Sequence, residues 1–154
     1  MTYKEFTFQY ALGTLESNTL LDMAASKRTN KKILSILSKD KNSSVRYNIA
    51  NNPKASAETL ELLFTASQRS VIDHICTNPS TPVKLLIKLS RSDDWYWRYS
   101  VARHPRTPLE ILEKLSKDKD VCVYKSVLYN PNVPERLVNK IIRKINRARA
   151  KENR

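Results

Sequence analysis

The 154-residue chain has one glycine, two cysteines and about half as many acidic residues (15) as basic ones (28). Each shortage excludes something. With Gly13 alone, tight hairpin turns that need a positive φ cannot recur, which argues against an all-β fold. The same count removes every Gly-rich phosphate loop. Cys76 and Cys122 are too few and too far apart for a disulfide framework or a metal site, so no metal or cofactor is expected, and a reducing cytoplasm fits. No apolar run reaches membrane-spanning length, so no integral membrane association is expected. Residues 1–10 lack the charged-then-apolar pattern of a secretion signal. The acid shortage leaves a net charge of +13. That excess bears on partners rather than fold. Nucleic acid, an anionic membrane surface or an acidic protein can neutralise it, and a plain solvated basic surface is the alternative.

What the chain does have is a period. Proline stands at 53, 79, 105 and 131, in Asn51-Asn52-Pro53, Thr77-Asn78-Pro79, Arg103-His104-Pro105 and Tyr129-Asn130-Pro131, in equal steps with no insertion. Val45, Val71, Trp97 and Val123 share a column of this period. So do Ile49, Ile75, Val101 and Val127, and then Ala50, Cys76, Ala102 and Leu128. Beyond the proline, Leu60, Leu86, Leu112 and Val138 align, as do Leu63, Leu89, Leu115 and Ile141. One step earlier the register persists with Lys27 in the proline position, a degenerate first repeat of the kind expected at a terminus. Residues 1–16 form an N-terminal cap. They read as one more helix with Phe8 and Ala11 in the leucine columns, although the alternation of Phe6, Phe8, Tyr10 and Leu12 also allows a strand.

Each unit reads as two short helices. The first spans about 44–51 and its equivalents and ends at the Asn-Pro step, because proline has no N–H and disfavours αR at the residue before it. Asn52, Asn78 and Asn130 are expected to bond local backbone there. The second follows Thr107-Pro108-Leu109-Glu110, which reads as a capping box with threonine as N-cap, and Thr81-Pro82 repeats its first half. Ile111, Leu112 and Leu115 then lie on one helical face. Helices this short cannot hide an apolar face alone, so neighbouring units must stack. The prediction is an all-α solenoid of five 26-residue repeats in a single domain, residues 1–154. Repeats fill 17–145, and a C-terminal basic capping helix leads into a basic tail at 146–154.

The stretch from Asp40 to Leu63, echoed around Pro79 and Pro105, follows D-x5-[VR]-x-x-I-A-x-N-P-x-T-P-x-x-L-L-x-x-L in outline. It resembles the leucine-rich repeat variant family over roughly 19–145. The resemblance implies a right-handed superhelix of alternating α and 3₁₀ helices, without a sheet and without catalytic activity. Some members carry a cysteine-rich segment for an iron–sulfur cluster. This chain has no such segment, and no cluster is carried over. The spacing of Asp40 and Arg46 is also similar to HEAT repeats, in which these residues form a ladder between units.

Arg46 and Arg98 share a column, and their expected role is structural, pairing with Asp40 in the same or a neighbouring unit. Trp97 is expected in the core. Tyr96 and Tyr99 face away from it, and with Tyr47 they are candidates for stacking on bases or anchoring a protein partner. Lys39, Arg91, Lys117 and Arg143 fall at the ends of second helices, where the helix dipole alone favours cations. Arg28, Lys54 and Arg106 follow the proline position. Stacked helices lie about 8–10 Å apart, so such columns become stripes that can track a phosphate backbone. From Arg136 to Arg154 there are eight Lys and Arg and one acid, Glu152. Leu137, Val138, Ile141, Ile142 and Ile145 give that helix a docking stripe, Lys140, Arg143, Lys144 and Arg147 cover its outside, and fraying is expected beyond Arg147. His74 and His104 occupy different columns, and neither has a nucleophile or base at a telling spacing. Asp93-Asp94 and Asp118/Asp120 suit turns and caps better than acid–base pairs.

These patterns predict a non-enzymatic binding scaffold. It contacts nucleic-acid phosphates through Lys54, Arg91, Arg106, Lys117, Lys140, Arg143, Lys144 and Arg147. The alternative is an adaptor that binds an acidic protein through Tyr47, Tyr96 and Tyr99.

Overall fold

A computed structural model describes residues 1–66 and 68–152. Among them there are eleven α-helices, one short 3₁₀ helix and no strand. The chain divides into two compact units, Met1–Pro82 and Val83–Arg154. The first holds α1 (Tyr3–Leu12), α2 (Ser17–Ala25), α3 (Lys31–Leu37), α4 (Ser43–Asn51), α5 (Ala57–Ala66) and α6 (Arg69–Thr77). The second holds α7 (Val83–Leu89), α8 (Trp95–Arg103), α9 (Leu109–Leu115), α10 (Val121–Ser126), the 3₁₀ helix Val127–Tyr129 and α11 (Glu135–Glu152).

In the first unit α4 packs between α2 and α6, and α3 and α5 pack against these helices. Ile33, Leu34, Leu37, Val45, Ile49, Leu60, Leu63, Val71 and Ile75 are buried. α1 adds Phe6, fully buried, and ends at Gly13, whose φ of +68° needs the lone glycine. The cap is therefore a helix, and its buried aromatic is Phe6, whereas Phe8 is 67% exposed. The two are two residues apart, about 200° around the helix, so they stand on nearly opposite sides and only one can face the core.

In the second unit α8 packs against α7, α9 and α10. Val101, Leu112, Leu115, Val123 and Val127 are buried, and α11 docks through Leu137 and Ile141. The valine column is buried at 45, 71 and 123, but Trp97 is only half-buried. The helix expected to fray after Arg147 continues through Glu152; of the predicted basic tail, Asn153 and Arg154 lie outside the described residues.

The turn asparagines bond further than the sequence suggests. Each Oδ1 accepts locally, from Lys54 N, Ser80 N and Asn132 N, all at 2.9 Å. Each Nδ2 also donates to two carbonyls of the preceding repeat. Asn52 reaches Ala24 O (2.8 Å) and Ser26 O (3.0 Å). Asn78 reaches Ala50 O (2.6 Å) and Asn52 O (3.0 Å), and Asn130 reaches Ala102 O (2.8 Å) and His104 O (2.9 Å). These asparagines are buried, so each closes polar groups that water cannot reach. In the first unit of the period Ser26 holds this place, and its Oγ accepts from Arg28 N. His104 makes the same local contact, its Nδ1 accepting from Arg106 N at 3.1 Å.

The capping box expected at Thr107 does not form, since the N-cap of α9 is Pro108 with no side-chain cap bond. Thr107 Oγ1 donates to Val101 O at 2.6 Å, Thr81 Oγ1 to Ile75 O at 2.5 Å and Thr29 Oγ1 to Met23 O at 2.6 Å. Val101 O and Ile75 O each also accept the backbone N–H of the helix C-cap, His104 and Asn78, so the hydroxyl is a second donor that fastens the turn to the end of the preceding helix. Pro108 itself caps α9, its carbonyl accepting from Ile111 N and Leu112 N. A capping box does join Thr2 and Glu5 at the start of α1.

Candidate functional site

The arginine column behaves differently in the two units. Arg98 is 6% exposed. Its Nε and Nη2 hold both oxygens of Asp118 at 2.8 and 3.1 Å, while Nη1 donates to Ser92 O and Asp93 O. Asp118 stands downstream, in the column of Asp40, so this is a tie to the following repeat. Hydrogen bonding to Asp118 raises the Arg98 pKa further. Burial pushes the Asp118 carboxyl up, but the hydrogen bonds from Arg98 and from Asp120 N outweigh it and hold the group below its ordinary value.

Arg46 does not pair with the Asp40 carboxylate. Its Nη1 donates to the carbonyls of Asp40 (2.7 Å) and Lys41 (3.0 Å), and among the described residues its buried Nε has no partner. At the position that corresponds to Asp118 the sequence has Ala66, so no carboxylate is supplied. Asp40 is instead held by Tyr10, whose hydroxyl donates to Oδ2 at 2.7 Å, and by Asn42 N. Burial, then the hydrogen bond and charge of Asp40, push the Tyr10 pKa up to about 12.

Positive charge is concentrated in the second unit, which has 18 Lys and Arg against 8 Asp and Glu, a net +10. The first unit has 10 against 7, a net +3. Within the second unit the end of α9 and one side of α11 border a groove of about 870 Å³. Its lining includes Lys117, Arg136, Lys140, Arg143, Lys144 and Arg147, with Asn139 and Ile141 and no acidic residue. Positions 136, 140, 143 and 147 follow the i, i+4, i+7, i+11 spacing that puts side chains along one side of a helix. Docking of Leu137 and Ile141 aims that side at the end of α9. Like charges at i, i+4 repel by about 0.2–0.5 kcal/mol per pair, so the row is unfavourable until an anion sits on it.

Two of the six cations are already engaged. Arg136 pairs with Glu113 at 2.7 Å. Lys144 Nζ lies 3.7 Å from the centroid of the Tyr124 ring and donates to Ser116 O and Asp118 O at 3.4 and 3.3 Å. It ties α11 to the turn after α9. Lys117, Lys140, Arg143 and Arg147 are exposed, and among the described residues no acidic side chain is paired with them. Helix-end electrostatics account for Lys117, which follows the C-cap Ser116. They do not account for Arg143, which lies inside α11 and not at a helix end.

Five of the eight predicted phosphate contacts therefore share one groove: Lys117, Lys140, Arg143, Lys144 and Arg147. Arg91 and Arg106 are exposed in the same unit but do not line it, and exposed Lys54 lies in the first unit. Sequence reasoning misses Arg136, although its spacing from Lys140, Arg143 and Arg147 is readable. Of the tyrosines, Tyr47 lies in the first unit with its ring edge-on to His74 at 4.2 Å, and Tyr96 and Tyr99 lie in the second. Among the described residues no cluster of His, Cys, Asp and Glu is arranged to hold a metal, and no helix is long and apolar enough to cross a membrane.

No protein-family model matches the chain, and no curated protein or solved structure is significantly similar to it.

Proposed function

We propose that the chain is a non-enzymatic helical-repeat scaffold, a right-handed solenoid of the leucine-rich repeat variant or HEAT kind, that binds nucleic acid by its phosphates. The observation that carries this function is the groove between α9 and α11, with six cations and no acid in its lining. Phosphate contact requires a row of cations and little else, because the backbone of nucleic acid presents evenly spaced negative charge. Lys117, Lys140, Arg143 and Arg147 make the contacts, and Lys144 and Arg136 hold the groove's walls together while adding to its potential. The repeat architecture is supported by asparagine bonds that recur at the same two sequence separations within each unit.

The test is a charge reversal confined to the four cations without structural partners. The variant Lys117→Glu, Lys140→Glu, Arg143→Glu, Arg147→Glu is expected to keep its helical circular dichroism and to lose binding of a fluorescein-labelled oligonucleotide at 50 mM salt. Undiminished binding by the folded variant removes the groove from the account. Absence of binding by the unaltered protein removes nucleic acid altogether.

A further inference from the structure

The second unit has an exposed feature that the groove does not use. On α8, Trp95 and Tyr99 are four residues apart and meet edge-on with centroids 6.2 Å apart. Tyr96 lies nearly parallel to Tyr99 at 6.4 Å and edge-on to Trp95 at 6.1 Å. One turn further on, the Arg103 guanidinium sits 5.7 Å from the Tyr99 ring centroid and 4.9 Å from that of Tyr129. Arg103 and Tyr129 share a column of the period, so the strip crosses from one unit of the repeat to the next. Trp95 is 47% and Tyr129 68% exposed, and Arg103 between them is also exposed.

Large aromatic rings left this open forgo the burial that normally accompanies them, about 150–250 Å² each. A cation held between two rings gives a surface that is π-rich and positive. That combination suits a nucleobase attached to a phosphate chain: each base has a π face for a ring or a guanidinium, and stacking on aromatic side chains tolerates any sequence. A duplex cannot use such a surface from outside, because its bases are stacked on one another. Asp93, two residues before Trp95, is an exposed acid at one end of the strip, against Arg103 within it and the unit's net +10.

We propose that the strip of Trp95, Tyr96, Tyr99, Arg103 and Tyr129 is a base-stacking platform, which makes the ligand a single strand. The platform rests on the phosphate-binding function proposed above, and the two fail separately. Trp95 and Tyr129 supply the most exposed rings. Tyr96 and Tyr99 back the indole, and Arg103 joins the two halves.

The experiment uses the full chain and three labelled 20-mers of matched length, namely oligo(dT), a strand of abasic sites with the same phosphates, and a duplex. The unaltered protein is expected to bind oligo(dT) at least about fivefold more tightly than the abasic strand, since stacking contributes a factor of that size or more per base. The double variant Trp95→Ala, Tyr129→Ala changes only exposed side chains. It is expected to erase this difference while leaving affinity for the abasic strand and duplex within about twofold. In Trp97→Phe protein Trp95 is the only indole, so oligo(dT) should quench its fluorescence and the abasic strand should not. Equal affinity for oligo(dT) and abasic strand, or an unaltered preference in the double variant, overturns the platform and leaves phosphate binding standing. If none of the three binds at 50 mM salt, both proposals fall. If a Glu-rich peptide binds in their place and the double variant loses it, the strip belongs to an acidic protein partner and the platform is overturned.

Discussion

Arg46 and Arg98 occupy the same position of the repeat in different units and end up in opposite circumstances. Arg98 is buried in a two-toothed ion pair with Asp118, whereas the buried Nε of Arg46 has no partner among the described residues. The cause lies downstream, where the sequence has Asp118 for Arg98 and, at the corresponding position, Ala66 for Arg46. A residue in a repeat is thus specified by its column and also by a second column one helix pair away. The first unit closes its own end differently, with a tyrosine hydroxyl on Asp40 from α1. The same contrast holds for charge: the second unit carries +10 and the groove, the first only +3.

Substituting each arginine by methionine sharpens the comparison most. Arg98→Met leaves the half-buried Asp118 carboxylate facing an apolar side chain and is expected to cost about 3 kcal/mol in urea unfolding. Arg46→Met loses two hydrogen bonds to carbonyls but also an orphaned donor, and is expected to cost about 1 kcal/mol or less. Equal losses would mean that the Asp118 pair does not distinguish the units.

Next in size is the asparagine column. Asn130→Ala removes two donors from the buried carbonyls of Ala102 and His104 and an acceptor from Asn132 N, an expected loss of about 2 kcal/mol. Asn52→Ser is the milder counterpart in the first unit. Serine at 52 can do what Ser26 does, accept locally, but cannot reach back to Ala24 O and Ser26 O. It is expected to recover the local turn and still unfold at lower urea than the unaltered protein. Full stability of Asn52→Ser would show the upstream bonds to be idle.

Smallest is the response to pH, and it has opposite signs at the two ties. Tyr10 has a raised pKa, so its contribution is complete below the ordinary tyrosine value near 10 and lost as pH rises toward about 12. Tyr10→Phe should cost about 1 kcal/mol at neutral pH and lack this alkaline loss. Asp118 has a lowered pKa, so its contribution is complete above the ordinary carboxylate range and lost as pH falls through the lowered value. Asp118→Asn should flatten the acid limb. Thermal unfolding across pH checks both, and an alkaline loss that survives in Tyr10→Phe contradicts the assignment of Tyr10.

The period makes the core legible. Ile49, Ile75, Val101 and Val127 are all buried, as are Leu63, Leu89, Leu115 and Ile141, because a fixed repeat length keeps a column on one face. The asparagines are legible only in their local half, since a bond such as that from Asn78 Nδ2 to Ala50 O exists only once neighbouring helix pairs are packed. Thr107 and Thr81 mislead because Thr-Pro is a helix-start signal in isolation, and the approach of each hydroxyl to Val101 O or Ile75 O exists only once the turn has folded back on the preceding helix. Lys140, Arg143, Lys144 and Arg147 are readable from composition. That Lys117 faces them, and that Lys144 is engaged with Tyr124, depends on how α11 docks. The strip through Arg103 and Tyr129 can be found by following their shared column.

The most direct measurement is the salt dependence of oligo(dT) binding by the full chain between 50 and 200 mM. Four phosphates neutralised by Lys117, Lys140, Arg143 and Arg147 give a slope of log affinity against log salt of about −3, roughly a fiftyfold loss over that range. A slope near zero, or one that stays the same when those four residues are reversed in charge, would contradict the account.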